Sequence, residues 1–87
     1  MEFEFDEAKS NSNKQKHGID FYEAQMLWCD PNYLLFPLPY VEEKRYGVIG
    51  KINGKCWTAI ITYRNLKVRI ISVRRSRKNE RSIYESH

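Results

Sequence analysis

A chain of 87 residues, 41% hydrophobic and 14% aromatic, carries enough apolar side chain for one modest core and is too short for a separate catalytic domain. No run approaches the roughly 18 consecutive apolar residues of a membrane span. The start, Met1-Glu2-Phe3-Glu4-Phe5-Asp6, is acidic where a signal peptide is basic and then apolar, so the expectation is a single domain over 1–87 in the cytoplasm, with no membrane partner. The net charge of +4 is unevenly spread: residues 64–81 hold eight Lys or Arg against Glu80 alone, whereas residues 1–63 sum to −2 and 82–87 to −1.

In chain order, Glu2 to Phe5 alternates Phe3 and Phe5 with acids, as a half-buried strand does. Asp6 is placed to cap a helix running to about Lys16, with Gly18 as its left-handed stop. Ala8 is the only apolar residue between Asp6 and Lys16, so that helix depends on its caps and neighbours. Asp20 and Glu23 form an Asp-x-x-Glu capping box for a second helix, on which Phe21, Ala24, Leu27 and Trp28 make a core face. Asp30-Pro31-Asn32 ends it. Tyr33 to Leu38 is strand-like, but Pro37 and Pro39 remove ladder donors and place it at a sheet edge or in an irregular strand.

From Arg45 the pattern becomes an antiparallel meander: Arg45 to Ile52, an Asn53-Gly54 turn of type I′, Lys55 to Tyr63, a second turn near Arg64-Asn65-Leu66, and Val68 to Arg75. The last of these strands has apolar residues on both alternating sets and reads as central. By simple alternation Arg69 and Arg75 share a face with Ile71 and Val73, and Arg74 takes the other with Ser72. Ser76 then caps a final helix through Tyr84, anchored by Ile83 and Tyr84.

The concentration of cations in residues 64–81 is the footprint of a polyanion binder, because each neutralised phosphate releases counterions. Arginine suits phosphate binding because its planar fork donates two parallel hydrogen bonds and stays charged at any physiological pH. Arg69, Arg74 and Arg75 stand on a rigid strand and lose less entropy on binding than cations on a tail; the competing reading is ion pairing, for example with Glu80 or Glu85. The imidazole of His17 suits general acid or base work on a ribose hydroxyl, and equally suits the negative end of a helix dipole just before Gly18. Trp57, Tyr63 and Tyr84 can stack on bases or fill the core. Cys29 and Cys56 have no CxxC spacing and only His17 and His87 as imidazole partners, so free thiols, no metal and no cofactor are expected.

Asp6-Glu7-x-Lys9, Lys16-His17-Gly18, Phe21-x-Glu23-Ala24, Arg45 with Gly50, and Arg69-Ile70-Ile71-Ser72-x-Arg74-Arg75 followed by Glu80-Arg81 and Tyr84-Glu85 together resemble the BrnT family. The resemblance implies an α+β, RelE-like fold of order β-α-α-β-β-β-β-α with a mainly antiparallel sheet. It also implies ribonuclease activity that halts translation, as the toxin of a bacterial type II toxin-antitoxin pair. A BrnA-like antitoxin with a ribbon-helix-helix part would neutralise it, and the complex would bind operator DNA. Lys9, Lys16 and His17 match the family's N-terminal motif, and Arg64, Arg69, Arg74 and Arg75 its basic positions. Phe5 stands where the family often has Trp. The leading expectation is therefore a metal-independent endoribonuclease with His17, Lys16, Arg64, Arg74 and Arg75 as catalytic residues and Lys9, Arg69, Arg77 and Lys78 as RNA contacts. A non-catalytic RNA or ribosome binder and a protein-interaction module using the same basic surface are the alternatives.

Overall fold

The computed structural model describes residues 1–39 and 42–87. Its elements are β1 (Phe3–Glu4), α1 (Glu7–His17), a 3-10 helix (Glu23–Cys29), β2 (Leu34–Pro37), β3 (Tyr46–Ile52), β4 (Lys55–Arg64), β5 (Lys67–Arg75) and α2 (Lys78–Ser86). One five-stranded sheet runs β1-β5-β4-β3-β2, antiparallel except for the β1–β5 pair. This is the expected α+β architecture in the expected order. Strand β5 is interior, but β4 rather than β5 occupies the middle of the sheet. No helix among the described residues is long and apolar enough to cross a membrane.

Helix α1 starts and stops where its caps dictate. The Asp6 carboxylate accepts from the N–H groups of Ala8 and Lys9, and Gly18, at φ 82°, donates its N–H to the Lys14 carbonyl. With no apolar stripe, α1 docks through polar groups instead. Ser10 Oγ accepts from Phe21 N–H at 2.9 Å. The Asn13 amide donates to the carbonyls of Ile19 (2.8 Å) and Val73 (2.9 Å) and accepts from Val73 N–H (3.2 Å). A strand residue aims its N–H and C=O at the same edge, and β1 covers β5 only at Val68 and Arg69. Asn13 thus completes the uncovered edge of β5 as a neighbouring strand would.

The second helical segment is wound as 3-10, not α. Asp20 and Glu23 do form the reciprocal capping box, each side chain accepting the other's N–H. The buried residues Phe21, Ala24 and Leu27 recur every three positions, which is the 3-10 period, and at seven residues the segment is too short for an α-helical stripe to prevail. Trp28, half-buried, packs against the same core, as expected, and meets Phe3 edge-on with ring centroids 4.8 Å apart.

Two cores flank the sheet. Ile19, Phe21, Ala24 and Leu27 pack on Val48, Trp57, Ala59, Ile61, Val68, Ile70 and Val73, while Tyr84 of α2 meets Ile49 and Cys56 on the opposite face. Ile83, expected as a second anchor, is 52% exposed. Ser76 does not cap α2: it is buried, its hydroxyl shared with Thr58 at 2.8 Å, and Arg77 is the N-cap. The edge strand β2 presents Pro37, which has no N–H to offer a further strand. Both hairpin turns are of the tight two-residue kind, with Asn53 and Gly54 at φ 51° and 77°, and Asn65 and Leu66 at φ 52° and 64°.

Candidate active site

The register of β5 determines which arginines can act together. Ile60 of β4 pairs with Ser72 while Ile61 pairs with Ile70, so Ile71 is an extra, bulged residue. The bulge reverses the alternation beyond it, and Val68, Ile70 and Val73 are all buried in one core. Arg75 therefore lies on the face of Val73, and Arg69 shares the opposite face with Arg74. The expected grouping of Arg69 with Arg75 is corrected, because simple alternation does not survive a bulge.

The eight cations of 64–81 separate accordingly. Arg74 makes a forked pair with Glu80 (2.7 and 2.9 Å), and Glu80 also accepts from Thr58 Oγ1 and Arg77 N–H. Burial pushes the Glu80 carboxyl up, but these donors outweigh it and hold it below the usual carboxylate range. Arg69 pairs with Glu4 at 2.9 Å, across the β1–β5 register. Arg64 faces Glu43 at 3.6 Å and Lys67 faces Glu2 at 3.9 Å. Arg81 donates to the Ser76 carbonyl. Arg77 and Lys78 are exposed at the start of α2.

Arg75 differs from the other strand arginines. It is exposed at the end of β5, and its guanidinium lies over the Trp57 ring, 5.4 Å from the centroid, with no carboxylate partner among the described residues. Trp57 is only 9% exposed and pairs with Arg75 in register, so the ring is a fixed platform. Arg64 is seven residues along β4 from Trp57, about 23 Å. Arg64 and Arg75 cannot grip one phosphate.

Helix α1 carries the remaining candidates toward the Arg75 end of the sheet. Asn13 fixes the helix to Val73, and β1, parallel to β5, sets the direction in which the chain enters α1. Lys16 and His17 follow Asn13 by three and four positions and so share its helical face one turn on. Arg75 follows Val73 by two residues in the same direction. The C-terminal turn of α1, with Lys14, Lys16 and His17, thus lies at the Arg75 end of the sheet. Lys9, one turn before Asn13, is exposed toward the other end.

Two clefts flank the tip of the β3–β4 hairpin. One, of about 190 Å³, is lined by Gly18, Ile19, Glu23, Ile52, Asn53, Lys55 and Trp57. The other, of about 490 Å³, includes Met26, Cys29, Asp30, Lys51 and Tyr84. Its main polar groups are already engaged: Tyr84 Oη donates to Asp30 at 2.5 Å, and Asp30 accepts from the N–H groups of Asn32 and Lys51. The bond to Asp30, with burial, pushes the Tyr84 phenol up to about 12. Tyr84 is thereby a core group, whereas Tyr63 is half exposed and packs edge-on against Tyr46. Asn13 was not legible as a site-building residue in the sequence, where the available hint was a helix without an apolar stripe, which has to dock through polar side chains.

No curated protein matches the chain. The family model for the ribonuclease toxin BrnT of type II toxin-antitoxin systems matches residues 5–80. That span takes in α1, the whole sheet apart from β1, and the Arg74–Glu80 pair. Such a family has an RNA target and an antitoxin partner. This chain belongs to the BrnT family of ribonuclease toxins of type II toxin-antitoxin systems.

Proposed function

We propose that the toxin cleaves RNA at the Arg75 end of the sheet, without a metal ion, and that Arg75, His17 and Lys16 carry the reaction. The observation that supports this most is Arg75 itself: a cation held rigid on Trp57 and, unlike Arg64, Arg69 and Arg74, without a carboxylate partner among the described residues. An arginine already neutralised by glutamate offers little to a phosphate, whereas Arg75 offers a full charge at little ordering cost.

In this reading the Arg75 guanidinium binds the non-bridging oxygens of the scissile phosphate and stabilises the charge that grows on them. His17 takes the proton from the 2′-hydroxyl as its oxygen attacks phosphorus. The bond from phosphorus to the 5′-oxygen breaks, and that oxygen leaves with a proton from the Lys16 ammonium. The products are a 2′,3′-cyclic phosphate and a 5′-hydroxyl, and atoms and charge balance without a further reactant. Arg77, Lys78 and Lys9 steer RNA at longer range, and Arg64, Arg69 and Arg74 act chiefly through their ion pairs. The neutralising partner is a BrnA-like antitoxin with a ribbon-helix-helix part, and the complex binds operator DNA.

The test is cleavage of RNA by the purified protein in excess EDTA, with Arg75→Ala and His17→Ala beside the wild type. Arg75→Ala should melt within a few degrees of the wild type and lose at least about a hundredfold in rate, as removal of a preorganised charge-stabilising donor does. A folded Arg75→Ala protein that cleaves at the wild-type rate sinks the assignment. Full activity of His17→Ala returns that residue to a helix-end role.

A further inference from the structure

We infer that the cleft between the C-terminal end of α1 and the β3–β4 hairpin receives the nucleobase next to the scissile phosphate, with Asn53 reading its edge and Lys55 holding its flanking phosphate. This rests on the placement of the reaction at Arg75. The cleft, of about 190 Å³, adjoins that point through a shared wall: Trp57 lines it and also carries the Arg75 guanidinium. A nucleotide whose phosphate sits on Arg75 has its base within reach of this opening.

The lining chemistry fits a base better than an apolar peptide. Trp57, 9% exposed and lying beneath the Arg75 guanidinium, contributes a rigid aromatic border against which the edge of a base can pack. Asn53, at φ 51° in the hairpin turn, is exposed and borders the cleft, and an amide offers both a donor and an acceptor to a base edge. Lys55 is exposed beside it, and no described carboxylate pairs with it. Glu23, the one acid of the lining, is engaged by Lys14 at 2.8 Å and by the Asp20 N–H, so it does not oppose a phosphate with free charge. At Gly18, in the lining, an added Cβ would meet nothing within 4 Å, so that side of the cleft stands open.

The experiment compares the wild type with Asn53→Asp and Lys55→Ala. Aspartate tolerates the turn conformation but has no amide donor, so Asn53→Asp alters recognition without breaking the hairpin; thermal melts check that both variants fold. Two measurements are made in EDTA: the cleavage sites chosen in a random-sequence RNA pool, and affinity for a 2′-O-methyl oligoribonucleotide, which cannot be cleaved, with and without one abasic position. Expected are a changed base preference beside the cut for Asn53→Asp and affinity about tenfold weaker for Lys55→Ala, with the log-log salt slope smaller by about 0.7. The abasic position should weaken binding to the wild type and have no further effect in Asn53→Asp. Unchanged cleavage sites together with affinities within twofold overturn the proposal. So does a result in which the variants lose only neutralisation by the antitoxin, which assigns the cleft to a protein partner. If the wild type binds the oligonucleotide with this dependence on Asn53 while Arg75→Ala cleaves normally, the cleft stands and the Arg75 centre falls.

Discussion

Replacing Asn13 by alanine removes three hydrogen bonds at once and leaves the Val73 N–H, the Val73 carbonyl and the Ile19 carbonyl without the partner they have now. Asn13 is 8% exposed, so water cannot take over without opening the junction between α1 and β5. A buried polar group stripped of its partner costs about 1–3 kcal/mol, and relaxation is easier for the two carbonyls than for the N–H, which together give about 3–5 kcal/mol. A domain of this size holds about 4–13 kcal/mol in total, so the loss takes a large share of it. Ser10→Ala is the internal control. It removes one bond, from Phe21 N–H to Ser10 Oγ, and should cost about 1–2 kcal/mol. Urea denaturation measures both, and amide exchange at Val73 should accelerate in Asn13→Ala beyond what the global loss explains. Equal destabilisation by the two substitutions, or a cost below about 1 kcal/mol for Asn13→Ala, would falsify the claim that Asn13 serves as the missing strand. Because the same bonds hold Lys16 and His17 at the Arg75 end, the residual folded protein should also cleave RNA more slowly.

Glu80→Gln should destabilise the fold by about 2 kcal/mol near neutrality, since it leaves the partly buried Arg74 without its counter-charge. The native Glu80 carboxyl lies below its unfolded value, so its contribution is present above that value, near pH 4.5, and is lost as pH falls through the lower native one. Melting curves of wild type and variant should draw together as pH falls through and below the ordinary carboxylate range; a gap that stays constant into strong acid contradicts the pairing. Leu66 is fully exposed at φ 64°, a region that costs a side chain about 1–2 kcal/mol, partly offset in Leu66→Gly by the added freedom of the unfolded chain. Calorimetry should show Leu66→Gly melting about 3–6 °C higher, and a lower melting temperature would mean that Leu66 makes a contact worth more than the strain.

Local chemistry was enough to read much of this protein from its residues. Asp6 and Gly18 bound α1, the Asp20 and Glu23 side chains cap the segment after it, and Asn53-Gly54 turns the hairpin, because each of these signals acts within four residues. Alternating apolar residues marked the strands, the cluster of cations marked a polyanion partner, and the motifs from Asp6 to Glu85 marked the family. The 3-10 winding of Glu23–Cys29 was latent in the three-residue spacing of Phe21, Ala24 and Leu27, a pattern equally compatible with a short α-helix.

Pairing across the sheet decided the rest. The bulge at Ile71 exists only in the register between β4 and β5, and it moves Arg75 to the Trp57 face while leaving Arg69 and Arg74 on the other. Ion pairs such as Arg69 with Glu4 join residues 65 positions apart, so a count of charges along the chain cannot tell an available cation from a neutralised one. Composition alone determined that this protein carries excess positive charge suited to RNA. Only the tertiary structure determined that Arg75 is the strand arginine without a carboxylate partner among the described residues, and that a polar residue, Asn13, ties α1 to β5 two residues before it.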